Sequence, residues 1–526
     1  MFIFFIQVPF LTLIWIFLME TGLYLNTVAP LQPFAKRVLT INEKISRWIY
    51  AHPKVVKVVK IAGLILGGAS IALPPLGGAG IVICVVCGAI GGAGITISAI
   101  ALKVLDILIP PKHDMKHHTF KPGQCEGGKL YYQGDVPILS ITTKDPFKAG
   151  KAHGYLLGPS LNTLRSRTDF VSNFVPFVTK SKDIPSVIES VRKYIPERYI
   201  KEMEGFVDGF NQWAKEQRFR RIKKITLEDV IAYNMAPDSC HFKFPLAEHK
   251  LKKQAANPTV NQQKPALALA CTVVIDRDED GGFTFGRNMD WPSLGLAGAH
   301  SLVFCRHLED GSRVVEVSVP GLIGTLTAMK IKKNEKSGLS LCMNVAEGVT
   351  TEVKGMPAVF LNRLMLETCS TAQEVSELVE TDGYQPLGPY HLSVADNKDA
   401  VGLHLCQEGF DPTKRHWRRR WEQNKPLVVT NQTYGKKEDH FWYSKERKEV
   451  IDAFFTHAQQ NINPNGIDRS KLVVHSLSLP YVNNEETTHR VVMQPSLGKI
   501  SVAFDNSFAG DAKLHPLTVE QLFANQ

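Results

Sequence analysis

Cys271 heads the β-branched run Thr272-Val273-Val274-Ile275, and Gly286-Arg287-Asn288-Met289-Asp290-Trp291 follows after a single turn. A thiol is a carbonyl-attacking nucleophile once it loses its proton. A guanidinium beside it favours the thiolate or orients a substrate carbonyl, and a carboxylate can fix a neighbouring amine. One cysteine, one arginine and one aspartate within a small volume are therefore a set for nucleophilic chemistry. The same residues also fit a plain hairpin with a buried cysteine, closed by an Arg287–Asp290 salt bridge. What must bring them together is a turn. Asp278-Glu279-Asp280-Gly281-Gly282 supplies it, and Phe283-Thr284-Phe285-Gly286 returns as the partner strand.

The segment before Cys271 bears on the same chemistry. Residues 254–268 (QAANPTVNQQKPALA) are polar and proline-containing, and read as an exposed linker ending just short of the thiol. A cysteine at a newly made N-terminus would carry its own base, because an α-amine titrates near ~8 and can accept the thiol proton. Inside an uncut chain that nitrogen is an amide and is no base. The expectation is cleavage between Ala270 and Cys271: the thiol attacks the Ala270 carbonyl, an N-to-S acyl shift follows, and water hydrolyses the thioester.

The stretch CTVVIDRDEDGGFTFGRNMDW resembles the first hairpin of the N-terminal-nucleophile amidohydrolases. The similarity is to acid ceramidase, the N-acylethanolamine-hydrolysing amidases, the choloylglycine hydrolases and the acyl-coenzyme A:6-aminopenicillanate acyltransferase group. In choloylglycine-type enzymes the arginine and aspartate follow the nucleophile by sixteen and nineteen positions; here 287 − 271 = 16 and 290 − 271 = 19. Gly150-Lys151-Ala152-His153-Gly154 resembles the opening of the acyltransferase group, and Glu202 to Gly209 with Leu227 to Asn234 resembles its helical pro-segment. Leu427-Val428-Val429-Thr430-Asn431, Gly321 to Thr327, and Thr487 to Met493 followed by Pro495 to Phe504 resemble later family segments. The likeness spans roughly residues 125–526.

The resemblance implies an α+β fold, a four-layer αββα sandwich. It implies catalytic roles for Cys271, Arg287, Asp290 and Asn431, with Asp290 holding the Cys271 amine and the Asn431 side chain donating to the oxyanion. Asn344 and, more loosely, Arg490 would line the pocket. No metal and no cofactor is implied, and the pro-segment would stay bound after cleavage as an α/β heterodimer. The activity implied is hydrolysis of the linear amide C–N bond of an N-acylated small molecule or lipid, such as an N-acyl amine or ceramide-like substrate. Two alternatives stand beside it: acyl transfer from the Cys271 thioester to an amine, and a non-catalytic membrane interaction protein. The chain also departs from the family pattern. Val345 follows Asn344 where the ceramidase-like members carry glutamate, which separates the substrate set from theirs, and Ala328-Met329-Lys330 replaces their "GMN" turn, which alters the pocket shape.

The wider composition frames this. The chain has 526 residues, enough for one long domain or two, and its apolar residues are unevenly spread. Met1 to Met19 carry no charge and are long enough for a membrane anchor (residues 1–27). A connector (28–60) leads to a Gly-rich apolar tract (61–110) that reads as a membrane hairpin, then a pro-segment (111–270) and a catalytic domain (271–526). Lysines and arginines flanking both apolar tracts suggest a catalytic part facing the cytosol. The net charge of +10 suits an anionic membrane surface, whereas the basic runs lack a nucleic-acid motif, so no such partner is expected. The nine cysteines show neither metal spacing nor a disulfide framework. The sequon Asn431-Gln432-Thr433 falls on the proposed catalytic asparagine, which argues weakly against a glycosylating route.

Overall fold

The computed structural model describes residues 120–165, 184–217, 222–239, 271–291, 296–332, 337–346, 353–380, 384–406, 416–432, 443–461, 468–484, 487–504 and 513–524. The chain divides into residues 1–110 and 111–526, and every described residue lies in the second unit. Among the described residues no helix is long and apolar enough to cross a membrane. The expected anchor (1–27) and apolar hairpin (61–110), Ala270 and the linker 254–268 lie outside them.

Two sheets form the centre. Three strands from the segment before residue 271, β1 (Gly123–Cys125), β2 (Gly128–Gln133) and β3 (Val136–Ile141), begin a ten-stranded sheet. It continues through β6 (Leu302–His307), β7 (Arg313–Ser318), β8 (Thr327–Ile331), β9 (Gly338–Val345), β10 (Tyr390–Ala395), β11 (Ala400–Leu405) and β12 (His416–Arg420). Every pairing is antiparallel except β3 with β6, which is parallel and joins the two parts of the chain. The six-stranded sheet runs β13 (Leu427–Val429), β4 (Thr272–Arg277), β5 (Phe283–Asp290), β14 (Thr487–Gln494), β15 (Lys499–Phe504) and β16 (His515–Thr518).

The predicted hairpin after Cys271 is β4–β5. Asp278 N donates to Gly282 O at 2.9 Å, and Gly281 takes a φ of +80° that a side chain would strain. β4 is buried on both faces because both are covered. Val273 and Ile275 pack between the sheets with Phe285, Val315 and Met329. Val274 packs outward against Ile451 of the helix Ser444–Asn461 and against Val473 and Leu477, in and just after the helix Arg469–Ser476. The outward row of β4 is also read by charge. Asp276, fully buried, accepts from Trp421 Nε1 at 2.9 Å and pairs with Arg469 at 2.5 Å.

The other face of the ten-stranded sheet is covered by helices α1 (Pro146–Leu156), α2 (Ile184–Arg192), α3 (Glu197–Glu216) and α4 (Leu227–Asn234) from the segment before residue 271, and by Ala358–Thr368 and Ala372–Glu380. Helix, sheet, sheet and helix thus stack in four layers, a mixed α/β architecture. Glycines set the closest helix crossing: a Cβ on Gly150 or Gly154 of α1 would meet the backbone of Glu202 or Phe206 on α3. A Cβ on Gly205 or Gly209 would meet Phe147 or Lys151. A buried ion network ties α3 to the rest. Glu202 pairs with Arg363 at 2.6 Å, Arg363 with Glu367 at 2.8 Å, and Arg306 with Glu316 at 2.5 Å.

Candidate active site

Cys271 stands at the mouth of β4 with 3% of its surface exposed. Its Sγ donates to the Asp290 carbonyl at 3.6 Å, so the hairpin does return Asp290 to the thiol. Burial pushes the Cys271 thiol up. The Arg287 guanidinium pulls it back down through charge and a hydrogen bond, while the Asp290 charge adds to the rise.

Arg287 is fully buried, and its charge is held in place by three neutral oxygens. Nη1 donates to Leu326 O at 2.6 Å and to Thr327 Oγ1, and Nη2 donates to Met343 O at 2.6 Å. A guanidinium spread over neutral acceptors leaves its positive charge available to a thiolate or an oxyanion. Asp290 is also buried. Its carboxylate accepts from Thr487 Oγ1 at 2.6 Å and Asn484 Nδ2 at 2.7 Å. Burial raises its pKa to about 6 against those two bonds and the charges of Arg447 and Arg287.

The two asparagines converge from other strands. Asn344 on β9 donates its Nδ2 to Val429 O at 3.1 Å and more weakly to Cys271 O at 3.5 Å. Asn431 lies just past β13, fully buried, with Nδ2 donating to Val345 O at 2.7 Å. Val345 therefore takes part through its carbonyl, whatever its side chain.

Arg447, on the helix Ser444–Asn461, was not singled out in the sequence and is central in space. Its Nη1 donates to Cys271 O at 2.6 Å and to Thr272 Oγ1 at 2.7 Å. Its Nη2 donates to Asn431 Oδ1 at 3.0 Å and to Ser444 Oγ at 2.9 Å. One rigid fork thus locks the backbone of Cys271 and the orientation of the Asn431 amide, because accepting through Oδ1 fixes the direction of Nδ2. The only local signal is an arginine in the first turn of a helix.

Arg490 goes elsewhere. It donates to Ser478 Oγ at 2.8 Å, Leu477 O at 2.7 Å and Asn288 Oδ1 at 3.3 Å, strapping the end of the Arg469–Ser476 helix to the outer face of the six-stranded sheet. The structure brings Cys271, Arg287, Asp290, Asn344 and Asn431 together and leaves Arg490 out. The described cysteines, Cys271 among them, are unbridged. Among the described residues no cluster of three or more His, Cys, Asp or Glu could hold a metal ion.

No family model matches the chain. An uncharacterized protein of Archaeoglobus fulgidus is 24% identical over 294 residues, covering 52% of this chain and 44% of its own length. The chain thus spans less than half of that relative. Among solved structures, the Caenorhabditis elegans N-acylethanolamine-hydrolyzing acid amidase ortholog superposes with a TM-score of 0.34 at 18% identity, over 43% of this chain and 94% of its own.

Proposed function

We propose that this chain is a self-processing cysteine amidohydrolase of the N-terminal-nucleophile type, acting on the linear amide bond of an N-acyl substrate, with a lipid-like N-acyl amine or ceramide-like amide as the substrate class. The observation that carries the reading is the convergence on Cys271, at the head of β4, of the Arg287 charge and Asp290 from the flanking strand β5 and of the Asn431 amide from the end of β13 on the other side. The sequence spacing of these residues and the four-layer stack support it.

After cleavage at Ala270–Cys271, the α-amine of Cys271 takes the thiol proton and the thiolate attacks the substrate carbonyl carbon. The carbonyl oxygen becomes an oxyanion. An amide nitrogen carries two N–H bonds, and Val345 O uses one of those on Asn431, so the other can donate to that oxygen. The C–N bond breaks as the α-ammonium returns its proton to the leaving amine. Water then attacks the Cys271 thioester, giving the free acid and the regenerated thiol. Arg287 favours the thiolate at the start, and Asp290 holds the amine in line with the sulfur. The pro-segment stays in place throughout, since β3 pairs with β6 and Glu202 is ion-paired to Arg363.

The test incubates purified protein with a panel of N-acyl amines and N-acyl sphingoid bases and follows release of free acid, with and without a competing amine. Free acid from the wild type and none from Cys271→Ala supports hydrolysis through the thiol. A new amide in place of acid would make the chain a transferase. Release that survives in Cys271→Ala would overturn the mechanism.

A further inference from the structure

The segment before residue 271 reaches the nucleophile by a route that packing alone does not require. Between β7 and β8 the chain crosses as Gly321-Leu322-Ile323-Gly324-Thr325-Leu326, and side chains hold its backbone at both ends. At the near end, Gly321 N donates to His153 Nε2 at 3.1 Å and Gly321 O accepts from Asn234 Nδ2 at 3.0 Å. Asn234 Oδ1 accepts from Ile323 N at 2.8 Å and Gly324 N at 3.1 Å, while its second N–H goes to Val230 O at 2.9 Å. Every hydrogen-bonding position of this fully buried amide is used, three of them on one loop.

The middle of the loop is equally fixed. Ile323 O accepts from Arg363 at 2.8 Å, Thr325 N donates to Val359 O at 2.9 Å and Thr325 O accepts from Asn362 at 3.1 Å. Gly321 has a φ of +89°, and a Cβ on Gly324 would lie 2.5 Å from Val359, so the loop has one way to lie. At the far end Leu326 O and Thr327 Oγ1 receive the Arg287 guanidinium. His153 and Asn234 at one end and Arg287 at the other are joined by six residues with no slack.

We propose that His153 and Asn234 are positioning residues for Arg287: by fixing the 321–326 loop they set where its guanidinium stands relative to the Cys271 thiol. The inference rests on the reading of Cys271 as the nucleophile. His153 suits the task, since Nε2 must be unprotonated to accept from Gly321 N–H. The ring is buried between Phe206 and Phe304, and burial with the charges of Arg306 and Arg363 keeps it neutral down to about pH 3. Charge acts on a thiol steeply with distance in a buried site, so a displacement of about 1 Å in the loop is enough to be read at the sulfur.

The experiment alkylates the full-length protein with iodoacetamide across a pH series and follows the Cys271-bearing peptide by mass spectrometry. The variants are Asn234→Ala, His153→Ala, His153→Gln and Arg287→Ala, with Phe210→Leu as a buried control on the neighbouring helix α3. Arg287→Ala sets the full upward shift of the alkylation midpoint. The expected result is a shift in the same direction of about half a pH unit or more for Asn234→Ala and His153→Ala. His153→Gln, which keeps an acceptor, should return close to wild type, and Phe210→Leu should lower Tm without moving the midpoint. Midpoints unmoved in Asn234→Ala and His153→Ala, against a clear shift in Arg287→Ala, overturn the inference. No shift in Arg287→Ala would instead refute the role given to Arg287 itself. If Asn234→Ala does not fold, the His153→Ala and His153→Gln pair decides the question alone.

Discussion

Replacing Arg447 by methionine keeps the side-chain bulk and removes the fork that holds both Cys271 O and Asn431 Oδ1. The hydroxyls of Thr272 and Ser444, which accept from Arg447, can rotate to other partners, but the two carbonyl oxygens cannot, and Cys271 O keeps only the 3.5 Å contact from Asn344. Each buried acceptor left without a partner costs about 1–3 kcal/mol. Removing a buried cation recovers part of that through its own desolvation, so a net loss of about 2–4 kcal/mol in stability is expected. The larger effect falls on catalysis. With Oδ1 released, the Asn431 amide can turn, and losing one oxyanion donor costs about 10²–10³ in kcat. The assay is a double-mutant cycle of Arg447→Met and Asn431→Ala on amide hydrolysis, beside thermal unfolding. If Arg447 acts through Asn431, the double variant is little worse than Asn431→Ala alone. A second readout is the acid limb of the pH profile. Arg447 charge holds the Asp290 carboxyl down, so that limb should move to higher pH without it. A folded Arg447→Met protein that loses less than about tenfold in kcat/KM, or losses that add in the cycle, would refute the reasoning.

Further expectations follow from the same structure. Because burial raises the Asp290 pKa to about 6 in the uncut chain and the amine freed at Cys271 can only draw it down, the acid-side fall of kcat/KM should lie at or below that pH, and Asp290→Asn should be slow throughout and lack the limb; a limb unchanged in Asp290→Asn excludes the assignment. The folded pKa lies above the ordinary 3.8, so this group favours the fold at low pH and withdraws about 3 kcal/mol as pH rises from about 4 through about 6. Chemical unfolding at pH 3.5 and pH 7 should show that contribution vanish in Asp290→Asn. Gly154→Ala or Gly205→Ala forces α1 and α3 apart and should cost about 3 kcal/mol or more, read as a Tm drop of several degrees; an unchanged Tm would contradict the close crossing.

Much of the site was legible because its parts are local. The hairpin from Cys271 to Asp290 is a β-branched strand, an acidic glycine turn and an aromatic return strand, and short-range rules suffice to fold it. Arg447 was not legible: it meets Cys271 across 176 residues, through a backbone carbonyl that no sequence pattern marks. Arg490 failed for a different reason. On β14 it pairs with Asn288 on the outer face, while its neighbour Val491 pairs with Arg287 on the inner one. Strand side chains alternate, so a one-residue difference in phase sends an arginine to the opposite side of the sheet. The roles of His153 and Asn234 were hidden likewise, as both act on backbone groups more than 85 residues away.

The central claim is that Cys271 becomes an N-terminus. Intact-mass measurement of the purified protein, followed by N-terminal sequencing of each piece, tests it most directly. The expected result is a polypeptide beginning at Cys271 that co-purifies with the segment preceding it, and no such piece from Cys271→Ala. An uncut chain that hydrolyses N-acyl amides at the same rate, or an active piece beginning at another residue, would contradict it.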